Sequence, residues 1–261
     1  MSCCVIAHPV RTSIVHVVAG GDKFAQDPEE FAGRLAAQAV SAGDPTGWFE
    51  RLYAAAEAGE TAVPWDRGVP SPFLTQWAEQ RGLAGARNLA GSAATRARAV
   101  VVGCGLGEDA EFIAERGFQT VAFDISPTAI AAARRRFPGS AVEYLTANLL
   151  DPPAAWHRAF DLVVESLILQ ALPDPPRRDA IARLGDLVAP GGMLIVIARA
   201  REPGEPTEGP PWALTRAEIE ALADTGLEPV RIEDLNDPQL EWPRRWRAEF
   251  TRPGPASYQD P

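Results

Sequence analysis

The chain has 261 residues, 46% of them hydrophobic, enough to bury one substantial core in a single α/β domain with an N-terminal elaboration. Its formal net charge of -10 gives a surface that on average repels phosphodiesters, so no nucleic-acid partner is expected. No run approaches the roughly 18 apolar residues of a membrane span, and Cys3, Cys4 and Cys104 form neither a disulfide framework nor paired metal ligands; a cytoplasmic protein with no membrane partner and no metal is expected.

Residues 1–26 form an extension with no assigned role, containing a β-like run at 13–18 followed by Gly20 and Gly21. Residues 27–98 are expected to be a helical cap. Asp27, Pro28 and Glu30 mark a helix start, with Phe31, Leu35 and Ala39 spaced along one face. A second helix is predicted over 45–58 with Trp48, Leu52 and Ala55 on one side, and a third over 72–81 with Phe73 and Trp77 at i and i+4. Between them the linker Val63-Pro64-Trp65-Asp66-Arg67-Gly68-Val69-Pro70 is too broken for a regular element.

From residue 99 to residue 252 the pattern alternates strand and helix, as in a doubly wound, mostly parallel sheet covered on both faces. Strands are predicted at 99–102, 120–123, 142–146, 162–167 and 193–198, with helices at 108–116, 127–137 and 177–188, the last ending at Pro190-Gly191-Gly192. Thr215 and Glu218 form a capping-box signature for a further helix. Two strands near 229–234 and 245–250 then close a seven-stranded sheet as an antiparallel hairpin, leaving a tail at 253–261.

Val102-Gly103-Cys104-Gly105-Leu106-Gly107 puts three glycines where a buried strand turns into a helix, which lets a nucleotide-like ligand approach the backbone without a Cβ in the way. Asp124, at the end of the next strand, is placed to accept ribose hydroxyls. NAD(P)-dependent oxidoreductases share this pattern. Here, however, Glu108 and Asp109 occupy the helix's first turn, where they would repel a pyrophosphate. S-adenosylmethionine has no phosphate and two cationic groups, so the same acids favour it.

Val100 to Gly107, Phe123-Asp124-Ile125-Ser126, Asn148-Leu149-Leu150, Phe160 to Glu165 and Ala189-Pro190-Gly191-Gly192 occur in the order and spacing of class I S-adenosylmethionine-dependent methyltransferase motifs, and the chain resembles that family over roughly residues 45–252. Within it, Trp48, Trp65-Asp66 and Gln170-Ala171-Leu172-Pro173 resemble the bacterial group related to thiopurine and other thiol S-methyltransferases. The resemblance implies that Gly103, Cys104 and Gly105 pass beneath the methionine part of the cofactor. Asp124 and Ile125 would hold ribose and adenine, and Asn148 and Leu149 would meet the adenine, an amide standing where many relatives carry an acid. It also implies that Trp65 folds over the cofactor and lines the acceptor pocket; packing in the core is the alternative reading.

Glu165, at the carboxyl end of the fourth strand, is a candidate for binding the cofactor ammonium, for a catalytic role toward the acceptor, or for a helix-end salt bridge. Arg67 is expected to pair with Asp66 or Glu60, the alternative being a bidentate contact to the cofactor carboxylate. The loop from Arg199 to Trp212, after the fifth strand, is expected to contribute acceptor contacts, with Trp212 the candidate substrate contact and a solvated Pro/Glu loop the alternative reading. His8, His16 and His157 are poorly placed to act as a base, which favours an acceptor that ionises unaided. Thiols begin near pKa 8.5. The expected activity is therefore S-methylation of a small thiol or thione, with S-adenosyl-L-homocysteine as product. N- or O-methylation of a small aromatic, and a non-catalytic ligand binder of the same fold, are the alternatives. The assembly is expected to be a monomer or homodimer.

Overall fold

The computed structural model describes residues 26–83, 97–207, 209–238 and 243–254. The expected run at 13–18, Cys3, Cys4, His8, His16 and most of the 82–98 connector lie outside these residues.

Three helices precede the sheet: α1 (Pro28–Ser41), α2 (Gly47–Glu57) and α3 (Pro72–Gln80). Asp27 caps α1 by accepting the Glu29 and Glu30 amides at 2.8 and 3.2 Å, which satisfies two of the donors a helix start leaves unpaired. The face of α1 that meets α2 is one position away from the expected one. Ala32, Ala36 and Ala39 are buried against Trp48 and Leu52, while Phe31 and Leu35 are only partly covered. Small side chains let α2 approach closely and make room for the Trp48 indole. On α2 itself Tyr53, rather than Ala55, is the third buried residue.

The sheet consists of β1 (Arg98–Val102), β2 (Gln119–Asp124), β3 (Glu143–Thr146), β4 (Phe160–Ser166), β5 (Val188–Arg199), β6 (Glu228–Asn236) and β7 (Arg244–Thr251). Their spatial order is β3-β2-β1-β4-β5-β7-β6. The first five are parallel, and β7 lies antiparallel between β5 and β6. Strands buried on both faces feed two core layers. In β1, Val100 and Val102 face one layer and Ala99 and Val101 the other. The first layer is covered by α6 (Pro176–Leu187) and α7 (Arg216–Glu220), the second by α3, α4 (Glu108–Glu115) and α5 (Pro127–Arg136). The predicted capping box at Thr215 and Glu218 is formed in full.

The segment Pro190-Gly191-Gly192 differs from its expected role as a plain helix stop. Pairing with β4 begins already at Val188, opposite Phe160, then shifts register before Met193 meets Leu162. The excursion is held by β7's end, with the Gly191 amide donating to Arg252 O and the Arg252 amide to Gly192 O, each at 2.9 Å. A bulge thus accommodates the glycines inside the strand.

Candidate active site

β1 delivers the chain into the turn Gly103-Cys104-Gly105-Leu106-Gly107 and then α4. Gly103 has φ 57°, and a Cβ there would fall 2.2 Å from Ile168 Cδ1. At Gly105, φ 53°, it would fall 2.9 Å from the Tyr53 hydroxyl. The turn therefore presents bare backbone to the cavity beside it. Asp124 ends β2 and is held by the Gly105 amide at 3.0 Å and the Ser126 amide at 2.9 Å. Burial pushes its pKa up to about 6 against those bonds.

Asp109, in the first turn of α4, accepts the Ser71 amide at 2.7 Å. Burial and then the neighbouring Glu108 charge raise its pKa to about 6, while Ser71, Ser166 and Arg67 favour the ionised form. Glu108 pairs with Arg136 of α5, which also takes Asp66 in a two-pronged bridge with both contacts at 3.0 Å. Asp66 is thus engaged by Arg136, not by Arg67 as expected; α5 carries a basic last turn that sits directly under the linker.

Aromatic side chains form the opposite wall. Trp65 is 37% exposed. Its indole N–H donates to the Tyr53 hydroxyl at 3.0 Å, and the ring stands edge-on to Trp48 and Tyr53 at 6.0 and 6.1 Å between centroids. These walls enclose a cavity of about 330 Å³ at the carboxyl ends of the parallel strands, within the roughly 300–1,000 Å³ of small-molecule sites.

Trp65, Gly103, Cys104, Gly105 and Asp124 line this cavity together; Ile125, Asn148, Leu149, Glu165 and Trp212 do not. Ile125 is half-buried in the turn before α5, Leu149 is packed in the hydrophobic layer, and Asn148 spends its Oδ1 on the Leu150 amide at 2.9 Å. Glu165 requires the largest correction. Its carboxylate is fully buried and turned back into the chain, where Oε1 accepts the Ile168 and Leu169 amides at 2.6 and 3.0 Å. Oε2 has no hydrogen-bond partner among the described residues, and burial raises the group's pKa to about 7. Among the described residues it forms no salt bridge and it is not one of the residues lining the cavity. In the loop after β5 it is Pro210 and Pro211 that reach the cavity, while the Trp212 amide is fixed to Gln170 O at 2.7 Å.

The sequence did not single out Tyr53, Ser71, Leu167 or Arg245 as cavity residues, whereas Arg199 opens the loop expected to contact the acceptor. Leu167 is held in the left-handed region at φ 68°, a conformation worth roughly 1–3 kcal/mol of strain that clusters at functional sites. Its amide donates to Ile197 O at 2.8 Å, which fixes the rim of β4 to β5. Among the described residues no helix is long and apolar enough to cross a membrane, and no cluster of metal-ligating side chains is present.

Residues 99–192, which include the glycine turn and Asp124, match the family described as methyltransferase domain. The N-methyltransferase NodS from Bradyrhizobium japonicum WM9, solved in complex with S-adenosyl-L-homocysteine, is similar with a TM-score of 0.55 and 25% identity, covering 73% of this chain and 92% of that one. Residues 99–192 thus form the methyltransferase domain of an S-adenosylmethionine-dependent enzyme. This methyltransferase is also 28% identical over 219 residues to probable thiol methyltransferase 2 of Arabidopsis thaliana, covering 83% of its own length and 87% of that protein's. Thiocyanate methyltransferase 1 from the same plant is 26% identical over 179 residues, 67% and 73% of the two chains. The cavity suits the cofactor: bare backbone at the glycine turn and the carboxylates of Asp66, Glu108, Asp109 and Asp124 complement a ligand with a sulfonium, an ammonium and no phosphate.

Proposed function

We propose that this methyltransferase methylates the sulfur of a small thiol or thione in the cytoplasm. The observation that carries the reading is that, among the described residues, no histidine lines the cavity and its carboxylates are already engaged by backbone amides or arginines. Among the described residues the sole histidine, His157, is exposed in the loop leading into β4, at the edge of the sheet opposite the cavity. Asp109 is occupied by the Ser71 amide and the Ser166 hydroxyl. An acceptor that ionises near neutrality needs no such help, and a few per cent of an ordinary thiol is thiolate at pH 7. The names of the two Arabidopsis relatives support the same choice.

On this reading Asp124 takes the ribose hydroxyls and the backbone of Gly103, Cys104 and Gly105 lies under the methionine part, while the adenine extends past the cavity toward Ile125, Asn148 and Leu149. Trp65 and Tyr53 close over the reaction centre and exclude water. The bound cofactor supplies an electrophilic methyl: the thiolate lone pair forms the new S–C bond as the sulfonium–methyl bond breaks, and its electrons return to sulfur to leave two neutral thioethers. The chain's part is alignment, and well-oriented reactants gain on the order of 7–11 kcal/mol. The test is transfer of label from methyl-labelled S-adenosylmethionine to a panel of thiols, amines and phenols. Labelled thioethers are expected; label passing only to amine or hydroxyl acceptors overturns the assignment.

A further inference from the structure

The cavity is electrically divided along the rim of the sheet. Asp124 and Asp109 stand beside β2 and β1, whereas Arg199 and Arg245 stand at the ends of β5 and β7, with Arg67 reaching the same cavity from the linker. Neighbouring strands are about 4.8 Å apart, so the ends of β2 and β7, four strands apart, are separated by roughly 19 Å. Arg199 and Arg245 are therefore at the far end from Asp124, while Arg67 lies between, close enough to act on both Asp109 and Arg245.

Arg199 and Arg245 are directly opposed in the antiparallel β5–β7 ladder, where facing like charges destabilise a sheet. Burial, Arg199 and Arg67 together push the Arg245 guanidinium down to about 10, with Asp237 acting in the other direction. Arg199 reaches Glu29 of α1 at 3.5 Å, and its amide is fixed by Gln170 Oε1 at 2.6 Å. The Trp48 indole N–H on the same cavity is buried without a partner among the described residues. Arg245 also donates to Arg244 O at 3.0 Å; guanidinium groups lining one end of the cavity beside a spare indole donor suit a planar anion, which such groups bind through paired charge-assisted hydrogen bonds.

We propose that the methyl acceptor carries a carboxylate, held at the β5–β7 end by Arg199 and Arg245 with Arg67, while its nucleophilic atom points toward the glycine turn. The proposal rests on the methyltransferase assignment but not on sulfur as the acceptor atom. Titration calorimetry of benzoate and methyl benzoate into the full chain saturated with S-adenosyl-L-homocysteine tests it. Benzoate is expected to bind at least tenfold more tightly than its ester, and Arg245→Gln to erase that preference while leaving affinity for S-adenosyl-L-homocysteine within twofold. Should Arg245→Gln fail to fold, Arg67→Gln, at an exposed position, is expected to weaken benzoate several-fold. The acid and methyl ester of 4-mercaptobenzoate, compared by kcat/KM, are expected to show the same preference in turnover. Equal binding of acid and ester, or variants that keep the full preference, overturns the proposal. Failure of S-adenosyl-L-homocysteine to bind the unaltered chain would instead strike at the cofactor assignment.

Discussion

Replacing Glu165 with glutamine separates a catalytic carboxylate from a buried structural one. The side chain is fully buried, Oε1 is satisfied by two backbone amides and Oε2 makes no hydrogen bond among the described residues, although the Ile197 amide lies close enough to favour the ionised form. Glutamine keeps the acceptor oxygen and removes the charge. The folded-state pKa of about 7 lies above the ordinary 4.5, so the folded protein holds this proton more tightly than the unfolded chain. Stability from the group is complete below 4.5 and is lost as the pH rises through 7. At pH 8 the charged form costs about 3 kcal/mol relative to a neutral side chain, and at pH 5 under about 1 kcal/mol. For a protein of this size that corresponds to a Tm gain of roughly 6–12 °C at pH 8 and little at pH 5. Thermal melts of Glu165→Gln and the parent chain at both pH values, with methyl transfer assayed beside them, make the measurement. Retained turnover with the larger Tm gain at pH 8 is expected. A destabilised variant at pH 8, or a folded one that has lost turnover, would refute the reasoning and return Glu165 to the reaction centre.

Gly103→Val places branched atoms where even a Cβ lies 2.2 Å from Ile168 Cδ1, at a φ of 57°; more than tenfold weaker S-adenosyl-L-homocysteine binding is expected by calorimetry, and unchanged affinity would contradict a backbone cradle. Because Asp124 must be ionised to accept both ribose hydroxyls and its pKa is about 6, cofactor affinity is expected to be level above pH 7. It should fall as the pH drops through 6, approaching tenfold per pH unit, and a flat profile from pH 5 to 8 would remove Asp124 from the contact. Tyr53→Phe deletes the hydroxyl that receives the Trp65 indole at 3.0 Å. Such a bond is worth about 0.5–1.5 kcal/mol net, so kcat/KM should fall roughly 2- to 10-fold, and an unchanged value would show that Trp65 needs no such anchor.

The glycine turn and Asp124 were legible because their requirements are local: a strand apolar on both faces, a turn that admits no Cβ, and an acid closing the next strand. Glu165 was misplaced for the converse reason. Its position at the end of β4 locates its Cα at the rim, but the direction of its side chain is set by the amides of Ile168 and Leu169, which fold back as a short 3-10 turn begins. Bulk misled on α1, where the large Phe31 and Leu35 read as the buried stripe although the alanines beside them allow α2 to come close. The alternation in β7 announced a strand, yet only its antiparallel pairing with β5 brings Arg245 to the cavity. Pro190-Gly191-Gly192 read as a stop because the bonds from Arg252 that hold it as a bulge come from sixty residues away in the sequence, at the end of β7.

The reversed course of β7 also shapes how the protein can change. Its amino end arrives beside the carboxyl end of β5, at the rim formed by the five parallel strands and several strands away from the turn that follows β1. Side chains at positions 199 and 245 can therefore change without disturbing the glycine turn or Asp124 at the other end of the rim, so one end of the cavity can be reshaped while the other stays as it is.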